Sequence, residues 1–583
     1  MTDLADLDFE PCQLAHLPLA AEYIRRLGIS AAVDEALPRD GRNKVSDSEC
    51  VALMIQNILS GRVGLYHMGP WLEATDPAVV VGEGCEPGLF SDARLAGTLD
   101  RIFAYGPDNL LTDVVLTYLR SDAAPDEYSI HQDTTTLKLY GEYANFFRDS
   151  APVPKHGFSK DHRPDLKQLV YGMSLHSHTG IPLCVSMLDG NASDKEANNL
   201  HLDRLAGILP PEDDVTLVAD SKLVDKVTIG RVLDADFHFI SLLPRTYKLQ
   251  RQAAEQAAFL PGELPELARE RGRNASEPDR VYRGTSFTAP FTVLDPEENL
   301  ERKQQMRFLA VESPQLARKF EAGLERRLAK DRKRIERAMK ELEETDFECE
   351  PDAEKAFWKF TKEPRLHRLT IECGAAVITL PRERKGRPKK GEPAPTKTVW
   401  RLRTKSIEID DDAVERARTR ARFFVLITDH LDPERWPDTR VLTEYRHQHM
   451  VEGHTGFRWL RGPNMVAPMF LNTPARIAAI GMVFVLALLV RNYIQAVVRA
   501  NLAEWEGLTF PNMDYKPTKS PTTENVFWLF RNVGSVVVSK CGVELDRRVT
   551  GLDEHCRLAM RLLGVSESAF LDRRKRTQVS KRS

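Results

Sequence analysis

Glu127–Tyr143 reads EYSIHQDTTTLKLYGEY. Its β-branched and aromatic residues predict a strand. A strand interior disfavours aspartate, so Asp133, followed by Thr134, Thr135 and Thr136, needs a partner for its charge. A divalent cation would supply one. Downstream, KQLVYGMSLHS (167–177) and IPLCVSMLDG (181–190) read as two more strands, with the turn residues His178, Thr179 and Gly180 between them. The three runs are sequential and mostly antiparallel in expectation.

EANNLHLDRLAGIL (196–209) then has a helical pattern that Pro210 and Pro211 end, and DVTLVADS (214–221) and DFHFISLLP (236–244) read as buried strands. Three strands, a helix, a strand, a helix and a strand is the order of an RNase H-like core. The expected fold class is therefore α/β: a mixed five-stranded sheet with flanking helices, interrupted by a large insertion and preceded by an all-α domain.

Upstream, LAAEYIRRLGISAAVDEAL (19–37) is helical in spacing and broken by Gly28. SDSECVALMIQNILSG (46–61) opens on a capping box, with Ser46 as N-cap and Glu49 three residues later, and Gly61 ends it. These features define a helical domain over 1–122, ahead of the first part of the core at 123–247. Residues 248–418 read as the insertion. There LQRQAAEQAAFLPGELPELARERGR (249–273) looks helical, TSFTAPFTVLD (285–295) and QQMRFLAVES (304–313) look like strands, and 314–344 forms one long charged helix. KGRPKK (385–390) lies in a flexible Pro/Gly/Lys-rich tip. The core resumes over 419–500, with RARFFVLITD (420–429) as a buried strand and TEYRHQHMVEGHTGFRWL (443–460) as a helix. Residues 501–583 complete the chain as a helical region with a basic tail.

The formal net charge is -3, so a DNA-binding surface has to come from local clusters of Lys and Arg. The eight cysteines are scattered without a C-x-x-C pair, which argues against a zinc ribbon or a disulfide scaffold and for a reducing cytoplasm. The apolar run Ile477–Val490 is shorter than the roughly 18 residues a membrane span needs, so it is read as a buried helix. No P-loop pattern occurs, and no nucleotide cofactor is expected.

Three carboxylates sit where a two-metal nuclease needs them: Asp133 within a strand, Asp220 at the end of VTLVA, and Glu452 on the helix after the insertion. Hard oxygen ligands suit Mg²⁺ or Mn²⁺. Two such ions about 4 Å apart would serve in-line phosphoryl transfer. The chain holds 85 Asp and Glu, so an arbitrary acidic triplet would carry no information. His447, His449 and His454 surround Glu452 without forming the H-E-x-x-H of zinc hydrolases, and they read as surface or DNA-facing side chains. Basic residues gather at Lys160, Arg163 and Lys167, along 318–340, and at the insertion tip, where they would neutralise phosphates. Trp400 reads as a strand-packing residue, with stacking on an unpaired base as the alternative.

The ordered blocks HQDTTTLKLYGEY, HGFSKDHRPDLKQLVYGMSL, PLCVSMLDGNASD, LVADSKL, FISLLPR, ARFFVLITD and YRHQHMVEGHTGFRWL resemble the DDE transposases of the insertion-sequence-four superfamily, in the branch with a long helical N-terminal domain. They cover about 130–500, and LPLAAEYIRRLGISAAVDEALP resembles that branch's leading domain. The resemblance implies that Asp133, Asp220 and Glu452 are the metal ligands and that two Mg²⁺ (or Mn²⁺) ions bind. It implies a homodimer acting on double-stranded DNA, both inverted-repeat ends and target, with no membrane association. The family's terminal helix carries Tyr, Arg, Glu and Lys at fixed spacing. Tyr445 and Glu452 match, whereas Gln448 stands for the Arg and Trp459 for the Lys. Arg446, Arg458 and Arg461 lie close enough in sequence to supply the charge, and Lys222 follows Asp220 by two residues. The implied reaction is cleavage and strand transfer at insertion-sequence ends. The competing readings are a transposase-derived DNA-binding protein and a metal nuclease without strand transfer.

Overall fold

The structure is a computed structural model, and it describes residues 7–61, 63–120, 127–139, 151–158, 163–209, 214–272, 278–295, 298–361, 365–381, 394–448, 451, 453, 456–460 and 473–571. The chain divides into two compact units. One comprises Met1–Ser241, Phe291–Gln304 and Thr443–Ser583; the other comprises Leu242–Pro290 and Gln305–Leu442.

The first unit opens on strand β1 (Asp8–Gln13), inside the stretch expected to be all-helical. β1 pairs antiparallel with Gly534–Lys540, which pairs with Val543–Thr550. Both the all-α N-terminus and the wholly helical C-terminal region are therefore corrected. Six residues of polar, Pro-containing sequence carry little strand signal of their own, and the partner lies at the other end of the chain. The helices that follow are those the sequence announces. Leu17–Arg26 and Ile29–Ala36 are separated by Gly28, whose φ of 66° a side chain would resist. Asp47–Leu59 carries the Ser46/Glu49 capping box. Tyr23 Oη and Arg26 both donate to the carbonyl of Leu563, so helix Leu17–Arg26 holds the end of helix Glu554–Leu563 by its unpaired carbonyls.

Five strands then form a sheet: β2 (Tyr128–Leu139), β3 (Lys167–His176), β4 (Pro182–Leu188), β5 (Val215–Ala219) and β6 (His238–Leu242). Their order is β4-β3-β2-β5-β6. The β2–β3 and β3–β4 pairs are antiparallel, while β2–β5 and β5–β6 are parallel. Directly paired residues share a sheet face. Asp133 pairs with Met173 and Thr135 with Tyr171, so these four lie on one face; Thr134 and Gly172 lie on the other.

A helix covers each face. Helix Asp194–Ile208 lies on the Thr134 side, where His201 is hydrogen-bonded to Ser174 Oγ (2.7 Å) and Ser186 Oγ (2.8 Å). It can come this close because Gly172 has no side chain: a Cβ there would stand 3.1 Å from His201 Nε2. On the Asp133 side runs helix Pro474–Ala503, whose Gly481 carbonyl accepts from Tyr171 Oη (3.4 Å) and whose Ile477 packs on Leu139 and Leu169. The apolar run from 477 to 490 is thus part of a helix of 30 residues, long and apolar enough to cross a membrane. Its most apolar 18-residue stretch is 94% buried within the unit. Each fully enclosed Val, Leu or Ile there contributes about 1.5–3 kcal/mol.

β7 (Glu266–Glu270), β8 (Arg280–Leu294), β9 (Glu301–Glu312) and β12 (Phe423–Thr428) lie in the order β12-β9-β8-β7, and all but residues 291–294 and 301–304 of them belong to the second unit. β7 falls in a stretch expected to be helical. The single charged helix expected over 314–344 is two helices, Pro314–Ala322 and Leu324–Glu343, divided at Gly323. The second buries Ile335 and Met339 against a long antiparallel ribbon that the sequence reading missed, β10 (His367–Thr379) with β11 (Thr396–Ile409). Trp400 is in β11, its backbone paired with Phe347.

Buried neutral histidines give the first unit a pH signature. Burial holds the His201 ring down at about 3, and holds His16 and His176 down at about 4. The unfolded chain protonates such rings as pH falls through 6.5, whereas the folded chain keeps them neutral. Stability is therefore complete above 6.5 and is lost as pH drops below it. Each histidine adds a slope of up to ~1.4 kcal/mol per pH unit. Urea unfolding at pH 7.5, 6 and 5 should show this decline, and His201→Gln should flatten it by about one proton's worth; an unchanged slope in that variant would contradict the assignment.

Candidate active site

The parallel ladder between β2 and β5 ends with Gln132 opposite Ala219. Asp133 is the next residue on β2, and Asp220 directly follows the end of β5. Backbone at Asp220 is still extended, with φ −69° and ψ 179°, so side-chain alternation carries through it. The two carboxylates therefore leave neighbouring strands, about 5 Å apart, from matching positions and toward the same face. Both residues are half-buried. Ser241 Oγ on β6 donates to the Asp220 carbonyl (2.8 Å) and pins that strand end.

Each carboxylate is held by a backbone amide. The N–H of Thr134 donates to Asp133 Oδ1 (2.7 Å), and the N–H of Lys222 donates to Asp220 Oδ1 (2.9 Å). On the same face, Thr135 Oγ1 is buried and has no hydrogen-bond partner among the described residues. Carboxylates and hydroxyls are hard oxygen donors, whose chemistry suits Mg²⁺ or Mn²⁺ rather than a softer ion. Among the described residues no three His, Cys, Asp or Glu side chains converge as a metal site. Glu452, Arg461 and Lys160 lie outside the described residues, as do His449 and His454.

The chain on either side of Glu452 touches the Asp133 face. Before it, helix Asp438–Arg446 brings the buried Glu444 to Ser177, whose Oγ donates to Glu444 Oε2 (3.0 Å) and meets His131 Nε2 (3.1 Å). His131 is two residues from Asp133 on β2 and shares its face. His178 and His447 flank the same carboxylate at 3.6 and 3.9 Å. After it, Phe457 in the short helix Phe457–Leu460 meets the ring of Tyr171, the partner of Thr135.

The expected DNA contacts are varied. Tyr445, Arg446 and Gln448 are half-buried, and burial disfavours the Arg446 charge. Arg458 is exposed. Arg163 is paired with Asp165 (2.7 Å), Lys167 begins β3, and Lys222 is paired with Asp194 (3.1 Å). The sequence reading missed Asp194, Glu444, Ser177 and His131. Only Asp194 left a trace, as an acid directly after a helix N-cap.

Residues 10–116 match a family described as "Domain of unknown function (DUF4277)". No curated protein matches the chain. One solved structure with similarity is titled "Cryo-EM structure of piggyBac transposase synaptic complex with hairpin DNA (SNHP)"; the identity is 9% and the TM-score 0.25, over 52% of this chain and 60% of that one. The match thus spans about three fifths of that protein's length.

Proposed function

We propose that the chain is a DDE transposase of the insertion-sequence-four type, with an RNase H-like core that cuts and joins DNA at the ends of a mobile element. The observation that carries this reading is the placement of Asp133 and Asp220 at matching positions on adjacent parallel strands and on one face. Three antiparallel strands followed by two parallel ones, with a helix between the third and fourth, fit the core that the sequence resemblance implies. Glu444 and Phe457, which flank Glu452 in sequence, make contacts on the side of the sheet that Asp133 faces, and this supports Glu452 as the third ligand.

In this reading Asp133, Asp220 and Glu452 hold two Mg²⁺ or Mn²⁺ ions. When bound, these ions supply activation of the attacking oxygen and stabilisation of the leaving one. The protein's own part is orientation. The Thr134 and Lys222 amides fix the two carboxylates before DNA arrives, so little reorganisation remains for the chemical step. Arg458, Arg461, Lys160, Arg163 and Lys167 are assigned to the phosphates of double-stranded DNA, and a homodimer in the cytoplasm is the proposed assembly.

The test is incubation of the full chain, with Mg²⁺ or Mn²⁺, on a plasmid carrying the sequences that flank its gene. Nicks leaving 3′-OH ends, followed by joined products, are expected. Cleavage without joined products would leave a metal nuclease in its place. Binding without cleavage would leave a transposase-derived DNA-binding protein.

A further inference from the structure

The Asp194 carboxylate lies on the opposite side of the sheet from Asp133, at the start of helix Asp194–Ile208. Its Oδ1 accepts from Thr134 Oγ1, and its Oδ2 accepts from Lys222 Nζ (3.1 Å). These are the two residues whose backbone amides hold Asp133 and Asp220. One carboxylate therefore grips, by their side chains, the two residues that orient the front pair by their main chains. An acid in the first turn of a helix is common for its own sake, because it suits the helix dipole. That role would need neither Thr134 nor Lys222.

We propose that Asp194 is a positioning residue that keeps Asp133 and Asp220 in register for divalent-cation binding from behind the sheet. It touches neither metal nor DNA. The inference rests on the function proposed above, since it presupposes that Asp133 and Asp220 bind the cation. Outer groups that orient ligands in this way typically govern affinity by about 10- to 100-fold.

The experiment measures Mn²⁺ binding to the full chain without DNA, by the electron paramagnetic resonance signal of free Mn²⁺, with a thermal melt of each variant as a folding check. Wild type is expected to bind and Asp133→Asn to lose binding. Asp194→Ala should weaken binding about tenfold or more, with Asp194→Glu partly restoring it. Thr134→Val, which keeps the shape and removes the hydroxyl, should weaken it in the same direction, and the double variant Thr134→Val/Asp194→Ala should be no worse than Asp194→Ala alone. If Asp194→Ala binds within about twofold of wild type while Asp133→Asn fails, the positioning role is wrong and the active site stands. If Asp194→Ala does not fold, Thr134→Val decides: wild-type affinity in that variant overturns the proposal. Equal binding by wild type and Asp133→Asn would overturn the functional reading, and this inference with it.

Discussion

Asp133→Asn is expected to reduce DNA cleavage by on the order of 10³, about 4 kcal/mol of barrier, while leaving DNA binding within about threefold. Asparagine keeps the shape of the side chain and can still accept from the Thr134 amide, so the strand and its neighbours should survive. What it removes is the negative charge that a hard cation requires. Asp220→Asn should behave alike, because its carboxylate leaves the neighbouring strand at the matching position. The double variant should lose little more than either single one, since groups that act as a unit are not additive. A nicking assay on plasmid DNA, with band-shift binding in parallel, measures both quantities. Cleavage within about tenfold of wild type in Asp133→Asn would end the assignment.

Glu524→Ala is expected to destabilise the first unit by about 1–3 kcal/mol, because the Arg491 charge is buried while its partner is partly open to solvent. Arg491 is 2% exposed and sits inside the long apolar helix Pro474–Ala503. Its guanidinium is held by Glu524 Oε1 (2.6 Å) and Asn492 Oδ1 (2.9 Å). Thr523 Oγ1 donates to the Arg491 carbonyl (2.7 Å), tying helix Thr523–Leu529 to the same spot. Removing the glutamate strands a buried positive charge, whereas replacing both partners leaves none. Arg491→Met combined with Glu524→Gln should therefore be far milder than Glu524→Ala alone. Urea unfolding of the three proteins tests this, and a loss below about 1 kcal/mol for Glu524→Ala would show that the ion pair is dispensable.

Much of the five-stranded core was legible because its signals are local. Thr-rich, aromatic sequence around Asp133 could hardly be anything but a strand, and a carboxylate inside it demanded a reason. Ser46 and Glu49 announced their helix in the same local way. What could not be read depended on partners distant in sequence. ELARE has strong helix formers, yet pairing with Arg280–Leu294 makes it a strand. The β10–β11 ribbon was missed because charged residues interrupt its alternation, and its apolar side is defined only by the helix bearing Ile335 and Met339. At the site, Asp220 could be inferred from the end of an apolar strand. Asp194 could not, since an acid after Ser193 already has an ordinary explanation as helix-start chemistry.

The pairing of Asp8–Gln13 with Gly534–Lys540 bears on how the polypeptide is made. A ribosome releases β1 long before its neighbour, which lies about 520 residues further along the chain. Throughout translation β1 presents open hydrogen-bonding groups, the kind of edge that invites pairing with another nascent chain. Cutting the chain ahead of Gly534 would recreate that exposure, so such a truncation should favour aggregates over a shortened folded protein.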